Sequence, residues 1–584
     1  MGDPGQQMPE RILQRDLAER FGPRTRTDGP YADNLDVDCL IVGGGFGGVY
    51  SLYELRKTFP KTVLFEAGND FGGTWRWNVY PGARVDSPVP IYQLNIPEVY
   101  NTWHWTTNYP AYPELQAYFD HCDKVLDLSK DCAFNSVVTS GEFDTKEGKW
   151  TIKTADGRTV KARFLIISAG FAAKRYIPDV PGMDTFKGHI AHSSFWPAEG
   201  VDWKGKKVGI IGTGASGVQM IQEMGPEAKE LTVFMRTPNL ALPMGRFDMT
   251  KEEQDKLKPY YKEIMAYREQ TFAGFHYDLC ERNTFDDTPE EREKFLNDLW
   301  DRQGFSLWLG GYKDYLADPK ANRVAYDLWR KRQSPRVKNP EKKRILFPEE
   351  PPHPFGVKRP CLEQDYYEVL DRDNVNVVSL KENPIERFTE KGIVTSDGKE
   401  HEFDIVGLAT GFDVVTGGLT NMGLKSIKGN NLKDEWKEGA KTYLGTMIAD
   451  YPNLFHLVSH HSLPCVLSSL LTTFQYGPHG PTLLSNGPTS VEIQARWIRD
   501  AIKKVKNEDF KYVNPTVEAQ EEYKKRILDL ARGSLFVTTR STYMGSAVPG
   551  KAFEPTCYHG GVNAYGPEIR AALDSWKGIE CVKA

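Results

Sequence analysis

Two glycine-rich loops and one loop-borne pair of cations carry the clearest chemistry in this chain. In Gly43-Gly44-Gly45-Phe46-Gly47-Gly48, Gly43, Gly45 and Gly48 occupy the fixed positions of GxGxxG. There the tight turn, the close approach of backbone to a pyrophosphate, and helix packing each exclude a Cβ. Glu66 closes the next strand-like run, TVLFEA, at the spacing of an acid that accepts both ribose hydroxyls. This loop indicates FAD or NAD rather than a phosphorylated ribose. In the second loop, Gly212-Thr213-Gly214-Ala215-Ser216-Gly217, the glycines recur at the same spacing. The following LTVFMRT ends in Arg236 and Thr237, where an acid would otherwise stand. A guanidinium there pairs bidentately with a 2'-phosphate, so this loop favours NADPH; the alternative is a surface arginine after a strand.

The cations are Lys358 and Arg359 in PFGVKRPC, flanked by Pro354, Gly356 and Pro360. Taken alone, a Lys-Arg pair in a loop reads as a solvated surface patch. The histidines lack metal-ligand spacing, and His276 with Cys280 reads as packing. No GxSxG elbow is present, so serine hydrolysis is not supported. One stretch resists both periodicities: FKGHIAHSSFWP, Phe186 to Pro197, spaces a glycine, histidine, tryptophan and proline as neither a helix nor a strand requires.

The elements that must position these groups follow from the pattern of apolar residues. DVDCLIV, the first glycine loop and VYSLYELRKTF read as strand, turn and helix, and KKVGIIGTGASGVQMIQEM repeats that grammar. Two such units predict two nucleotide-binding folds. From about Gly245 to Lys343 the texture turns charged and aromatic, which predicts a helical insertion; strand-like NVNVVSL and FDIVGLATG follow. The chain is expected to leave the first fold, build the second and return. With 584 residues and 40% hydrophobic content, it exceeds the roughly 250 to 300 residues at which one core stops growing.

A net charge of -5 with interspersed acids and bases offers no basic face for nucleic acid or an anionic membrane. No apolar run approaches the roughly 18 to 20 residues of a membrane span, and the N-terminus has no secretory h-region. The eight cysteines are scattered without a CxxC pair, which predicts reduced thiols. A cytoplasmic protein with a small-molecule partner is expected.

At this point the residues resemble a known family. Phe186, Gly188, His192, Trp196 and Pro197 match FxGxxxHxxxWP, the fingerprint of type I Baeyer-Villiger monooxygenases. GGTWRWNVYPGARVD, Gly72 to Asp86, matches that family's [AG]GxWxxxx[FY]PGxxxD at every fixed position. The resemblance covers most of the chain from about Val37. It implies an α/β protein with two Rossmann-like dinucleotide-binding domains, one for FAD and one for NADP, with the helical insertion in the NADP domain. The expected order is an extension over 1–36, an FAD domain over 37–181, an NADP domain with its fingerprint linker over 182–243, the insertion over 244–344, a second NADP part over 345–398 and a second FAD part over 399–584.

The implied activity is NADPH- and O2-dependent insertion of one oxygen beside a ketone carbonyl, through a 4a-peroxyflavin, to give an ester or lactone. By the resemblance Arg359 is the active-site arginine and Asp86 the acid that pairs with it. Lys358 is a further contact to the 2'-phosphate. The implied cofactor-binding set also includes Phe46, Gly73, Thr74, Trp75, Tyr80, Ser216 and Gln219. His192 and Trp196 are expected to couple domain movement to cofactor position, against the alternative of a packing histidine. Competing readings are a flavin monooxygenase for nitrogen or sulfur, and a cofactor-binding protein without productive turnover.

Two departures from the family pattern stand out. RSTYMGSAVPGK has Thr542 where tryptophan is common and Ala547 where asparagine is common. VSHHSLPCVLSSLLTTFQ, Val458 to Gln475, interrupts an otherwise continuous match from FHL to YGPHGPTLLSNGP, as a true insertion or as a retained intron.

Overall fold

The computed structural model describes residues 29–170, 175–411, 417–457, 478–481, 485–545 and 552–584. Residues 1–28 of the extension expected over 1–36, the segment Val458 to Gln475 and Ala547 lie outside the described residues, and the extension's last two residues belong to the first strand, which begins at Leu35.

The first sheet is built around β1 (Leu35–Val42), which runs parallel to β2 (Thr62–Phe65) on one side and to β6 (Thr159–Ile167) on the other. β3 (Cys132–Ala133) extends the β2 edge, and β4 (Val138–Asp144) with β5 (Lys149–Thr154) continues beyond β6 as an antiparallel pair. Helix α1 (Phe46–Arg56) follows β1 directly through the glycine loop.

The second sheet contains β7 (His189–His192), β8 (Lys207–Ile211), β9 (Glu230–Met235), β10 (Val375–Ser379) and β11 (Ile405–Leu408) in the order β10-β9-β8-β11-β7, all parallel. Helix α2 (Ala215–Met224) follows β8. The chain then returns to the first sheet, where β12 (Leu454–His456) pairs with β6.

Two expectations need correction. The second nucleotide fold does not end at residue 398: β11 lies between β8 and β7, with Ile405 opposite Val208 and His189. Its IVGL run is buried throughout, as a central strand of a parallel sheet must be. A cut after 398 would also separate Gly392–Thr395 from its antiparallel partner Glu400–Glu402. In addition, FKGHIAHSSFWP is not simply a connector, because its residues His189–His192 form the edge strand β7. A Cβ on Gly188 would stand 2.6 Å from the Asp404 carbonyl oxygen, so the glycine admits the close approach that starts this pairing.

Six helices occupy the inserted region: α3 (Lys251–Leu257), α4 (Tyr261–Arg268), α5 (Pro289–Asp301), α6 (Ser306–Leu309), α7 (Pro319–Gln333) and α8 (Pro340–Leu346). Thr250 and Thr288 cap α3 and α5 by reciprocal bonds with Glu253 and Glu291.

The insertion is tied to the first fold by a buried ion pair. Arg268 of α4 lies 2.6 Å from Glu492 of α9 (Gly487–Asn507), both side chains 0% exposed. Arg268 also donates to the Ile91 carbonyl, and Glu492 accepts from Asn95 N-H. Replacing Arg268 by methionine strands a buried carboxylate. Because Arg496 remains 3.7 Å from Glu492, the expected cost is at the lower end of the range for a broken buried pair, about 3 kcal/mol. Thermal unfolding would show it, and adding Glu492→Leu should recover most of the loss.

Candidate active site

The first glycine loop is shaped by contacts that only glycine permits. Gly43 has φ +110°, and a Cβ on it would stand 2.2 Å from the Ser168 carbonyl oxygen; one on Gly48 would stand 1.7 Å from the Gly43 carbonyl oxygen. The loop therefore folds back tightly between β1 and β6 and delivers the α1 N-terminus to a cavity of about 280 Å³. Gly43, Gly45, Glu66, Gly73 and Thr74 line this cavity. Glu66 accepts from Gly44 N-H and, at 2.7 Å, from Gly68 N-H. Burial raises its pKa, and these backbone donors oppose the shift.

Sequence reasoning missed Asn78, Ser168, Ser194 and Phe195, which also line the cavity. Among the described residues, Asn78 Oδ1 and Ser168 Oγ are buried without a hydrogen-bond partner. Such atoms call for a polar ligand or water. A cradle closed to any Cβ, an acid at the ribose position and two orphaned polar atoms together fit FAD.

Four residues of the expected cofactor set turn their side chains elsewhere. Phe46 packs in the core, with its ring centroid 4.8 Å from that of Phe119 and 5.3 Å from that of Tyr92. Trp75 is fully buried and donates its indole N-H to Tyr92 OH at 3.0 Å. Tyr80 donates to Gln219 Oε1 at 3.1 Å, and Gln219 Nε2 donates to the Arg84 carbonyl at 3.2 Å. Tyr80 and Gln219 thus join the long fingerprint to α2 of the second fold. Aromatic side chains beside a glycine loop are drawn into the core because burying them gains more than exposing them on a polar cavity.

The second loop repeats the first. Gly212 has φ +104° and its Cβ would stand 2.4 Å from the Ala409 carbonyl oxygen, while a Cβ on Gly217 would stand 2.2 Å from that of Gly212. Gly214 is the N-cap of α2, whose first turn carries Ser216. Thr213 donates to the Thr237 carbonyl at 3.2 Å, placing the loop against the end of β9. Among the described residues, Thr237 Oγ1 is buried without a hydrogen-bond partner.

Arg236 and Lys358 share an electropositive corner here. Lys358 is 8% exposed. Burial, then the charges of Arg236 and Lys381, push its pKa down to about 8. Burial also holds Arg236 below the ordinary arginine range, although a guanidinium stays charged at any working pH. The corner fits an anion, as the 2'-phosphate of NADP requires.

Arg359 and Asp86 meet as the resemblance implied. Nε and Nη2 of Arg359 donate to Oδ2 and Oδ1 of Asp86, each at 2.8 Å, and the side chains are 7% and 1% exposed. This is the bidentate fork, in a site nearly stripped of water. Cys361 accepts from Asn239 Nδ2 at 2.7 Å and is buried.

The fingerprint histidine is held at both ring nitrogens. His192 Nδ1 accepts from Ser194 N-H at 3.2 Å, so its Nε2 carries the proton and donates to the Gly411 carbonyl at 2.9 Å. The ring joins the end of β7 to the turn after β11, and it sets Ser194 at the first cavity. Phe186 and Trp196 are buried, and Pro197 follows the tryptophan. Thr542, at the first departure from the family pattern, is also buried; its carbonyl accepts from Thr556 Oγ1 at 2.7 Å.

Two dinucleotide-binding folds with a buried arginine-carboxylate pair define a flavin- and nicotinamide-using oxidoreductase. Residues 38–251 match the family described as flavin-binding monooxygenase-like. The chain is 49% identical to an FAD-binding monooxygenase, acrE, of Aspergillus aculeatus over 98% of this chain and 93% of that protein. It is 42% identical to cyclopentanone 1,2-monooxygenase of Comamonas sp. over 91% and 93%. Cyclohexanone monooxygenase from Rhodococcus sp. Phi1, solved bound to NADP+, superposes with a TM-score of 0.87 at 33% identity, covering 94% of this chain and all of that one. The chain belongs to the type I Baeyer-Villiger monooxygenase family. It is an FAD-dependent Baeyer-Villiger monooxygenase that uses NADPH, and oxidation of nitrogen or sulfur is not the favoured reading. No described helix is long and apolar enough to cross a membrane.

Proposed function

We propose that this enzyme uses O2 to insert one oxygen beside the carbonyl of a small-molecule ketone, with Arg359 and Asp86 as the catalytic pair and Arg236 with Lys358 as the reader of the NADPH 2'-phosphate. The carrying observation is the buried two-pronged contact between Arg359 and Asp86. FAD, when bound, supplies the redox chemistry, taking a hydride from NADPH and activating O2 for attack on the carbonyl. Arg359 supplies a fixed positive charge for the negative charge that develops as the carbonyl is attacked. Asp86 orients the guanidinium and offsets the several kcal/mol that a lone buried arginine would cost. His192, with its proton on Nε2 bound to a backbone carbonyl, has no role as a base in this reading. It holds Ser194 and the β7 edge in place.

The test supplies FAD-loaded protein with NADPH, labelled dioxygen and a panel of linear, cyclic and aryl ketones. Esters or lactones carrying one labelled oxygen, found by mass spectrometry, would support the reading and rank the substrates. NADPH consumption with only peroxide formed across the panel would oppose it.

The corner around Lys358 also predicts a pH dependence. A bound phosphate favours the charged amine and raises its pKa above the value of about 8 in the free protein. NADP+ affinity should therefore be full below pH 8 and fall as pH rises above it, by up to about tenfold per unit. NAD+ affinity should stay flat over that range. Fluorescence titration at several pH values checks this, and parallel profiles for the two nucleotides would remove Lys358 from the phosphate site.

A further inference from the structure

The insertion contributes two rings that none of the sequence signals singled out. The Arg359 Cζ lies 4.6 Å from the Phe305 ring centroid and 5.6 Å from that of Trp308, both within the roughly 6 Å reach of cation–π attraction. The rings are 0% and 1% exposed, and they fix each other edge to face at 5.2 Å and 72°. Phe275 backs Phe305 at 5.9 Å and 84°.

Trp308 also reaches the loop that carries the arginine. Its indole N-H donates to the Gly356 carbonyl at 3.2 Å, three residues before Arg359. Gly356 has φ +79°, and a Cβ there would stand 2.7 Å from Trp308 Cδ1. The loop and the indole are therefore shaped to each other. The Trp308 carbonyl accepts in turn from the Tyr315 hydroxyl.

We infer that Phe305 and Trp308 are positioning residues for Arg359, an aromatic clamp that fixes the tilt of the guanidinium while Asp86 fixes its edge. A carboxylate contacts the cation along one line and resists rotation about that line weakly. A ring against the face resists it. A second carboxylate could do the same mechanically, but it would turn the neutral Arg359–Asp86 pair net negative and oppose the negative charge that develops at the carbonyl. A quadrupole attracts the cation without adding charge, so the clamp holds Arg359 and leaves its charge for the reaction. This gives the helical insertion a catalytic purpose, and the inference rests on the reading that Arg359 acts at the carbonyl.

The test compares Phe305→Leu, which keeps apolar volume but removes the π face, with Phe305→Tyr, which restores it. With FAD-loaded protein, Phe305→Leu should lower kcat for ester formation about 10- to 30-fold and divert NADPH to peroxide, while ketone KM changes less than about threefold. Phe305→Tyr should recover ester formation to within about threefold of the starting enzyme.

A second readout needs no turnover. In a thermal-unfolding cycle on FAD-loaded protein, Phe305→Leu should lower the midpoint more when Arg359 is present than in an Arg359→Met background. Trp308→Leu takes the place of Phe305→Leu in both readouts if the latter does not fold. A loss confined to KM, or equal midpoint shifts in the two backgrounds, would overturn the clamp and leave the rings as pocket wall. If Arg359→Met keeps its ester yield, the assignment of Arg359 fails, whereas the unfolding cycle still decides the clamp.

Discussion

Arg359→Ala is expected to retain NADPH-driven bleaching of the flavin and to lose ester formation by at least about 10³-fold. Removing one preorganised donor to a developing oxyanion costs about 10² to 10³ in kcat. Here the loss is compounded, because Asp86 at 1% exposure is left as a buried carboxylate beside the same developing charge. Arg359→Lys should recover only part of the rate, since an ammonium keeps the charge but cannot reproduce the fork at 2.8 Å on both prongs. Stopped-flow absorbance separates the two halves of the cycle, and gas chromatography counts the ester. Sulfide oxidation makes an internal control, because a sulfide attacks as a nucleophile and develops no oxyanion at a carbonyl. Its rate should fall far less. Equal losses for ketone and sulfide would instead mean that Arg359 serves the flavin or the nucleotide.

The legible parts of this site are those fixed by local geometry. A Cβ on Gly48 or Gly217 collides with a backbone oxygen of its own loop, so the requirement is written within six residues and can be read there. The pairing of Asp86 with Arg359 joins residues far apart in the chain, and only the family resemblance brought them together. β7 was missed for a related reason: its four residues are held by β11 from far downstream, and an edge strand that short has no periodicity to detect. The same non-local pairing moved the end of the second fold past residue 398. Trp75 and Phe46 were assigned to the cofactor by position in a motif, yet a motif constrains packing as well as contact, and both side chains serve the core. Phe305 and Trp308 left no signal because one sits beside, and the other within, a single turn of helix in a charged region, and only folding brings their rings to Arg359.

The nucleotide preference offers the second large effect, because it depends on two cations with separable roles. Arg236 follows β9 and can present a planar fork to a phosphate, whereas Lys358 is a buried point charge whose amine is already close to losing its proton. A hydrogen bond involving a charged group is worth about 1.5 to 3 kcal/mol. Arg236→Ala should therefore lower the ratio of kcat/KM for NADPH to that for NADH by about 10- to 150-fold. Lys358→Met alone should have a smaller effect at pH 9 than at pH 7, since above pH 8 the native amine is mostly neutral in the free protein. The double variant should lose nearly all discrimination between the nucleotides. NADH turnover should change little in any of them, because a ribose hydroxyl needs neither cation. If Arg236→Ala instead slows both nucleotides equally, the residue supports the β9 end and the 2'-phosphate is read by other groups.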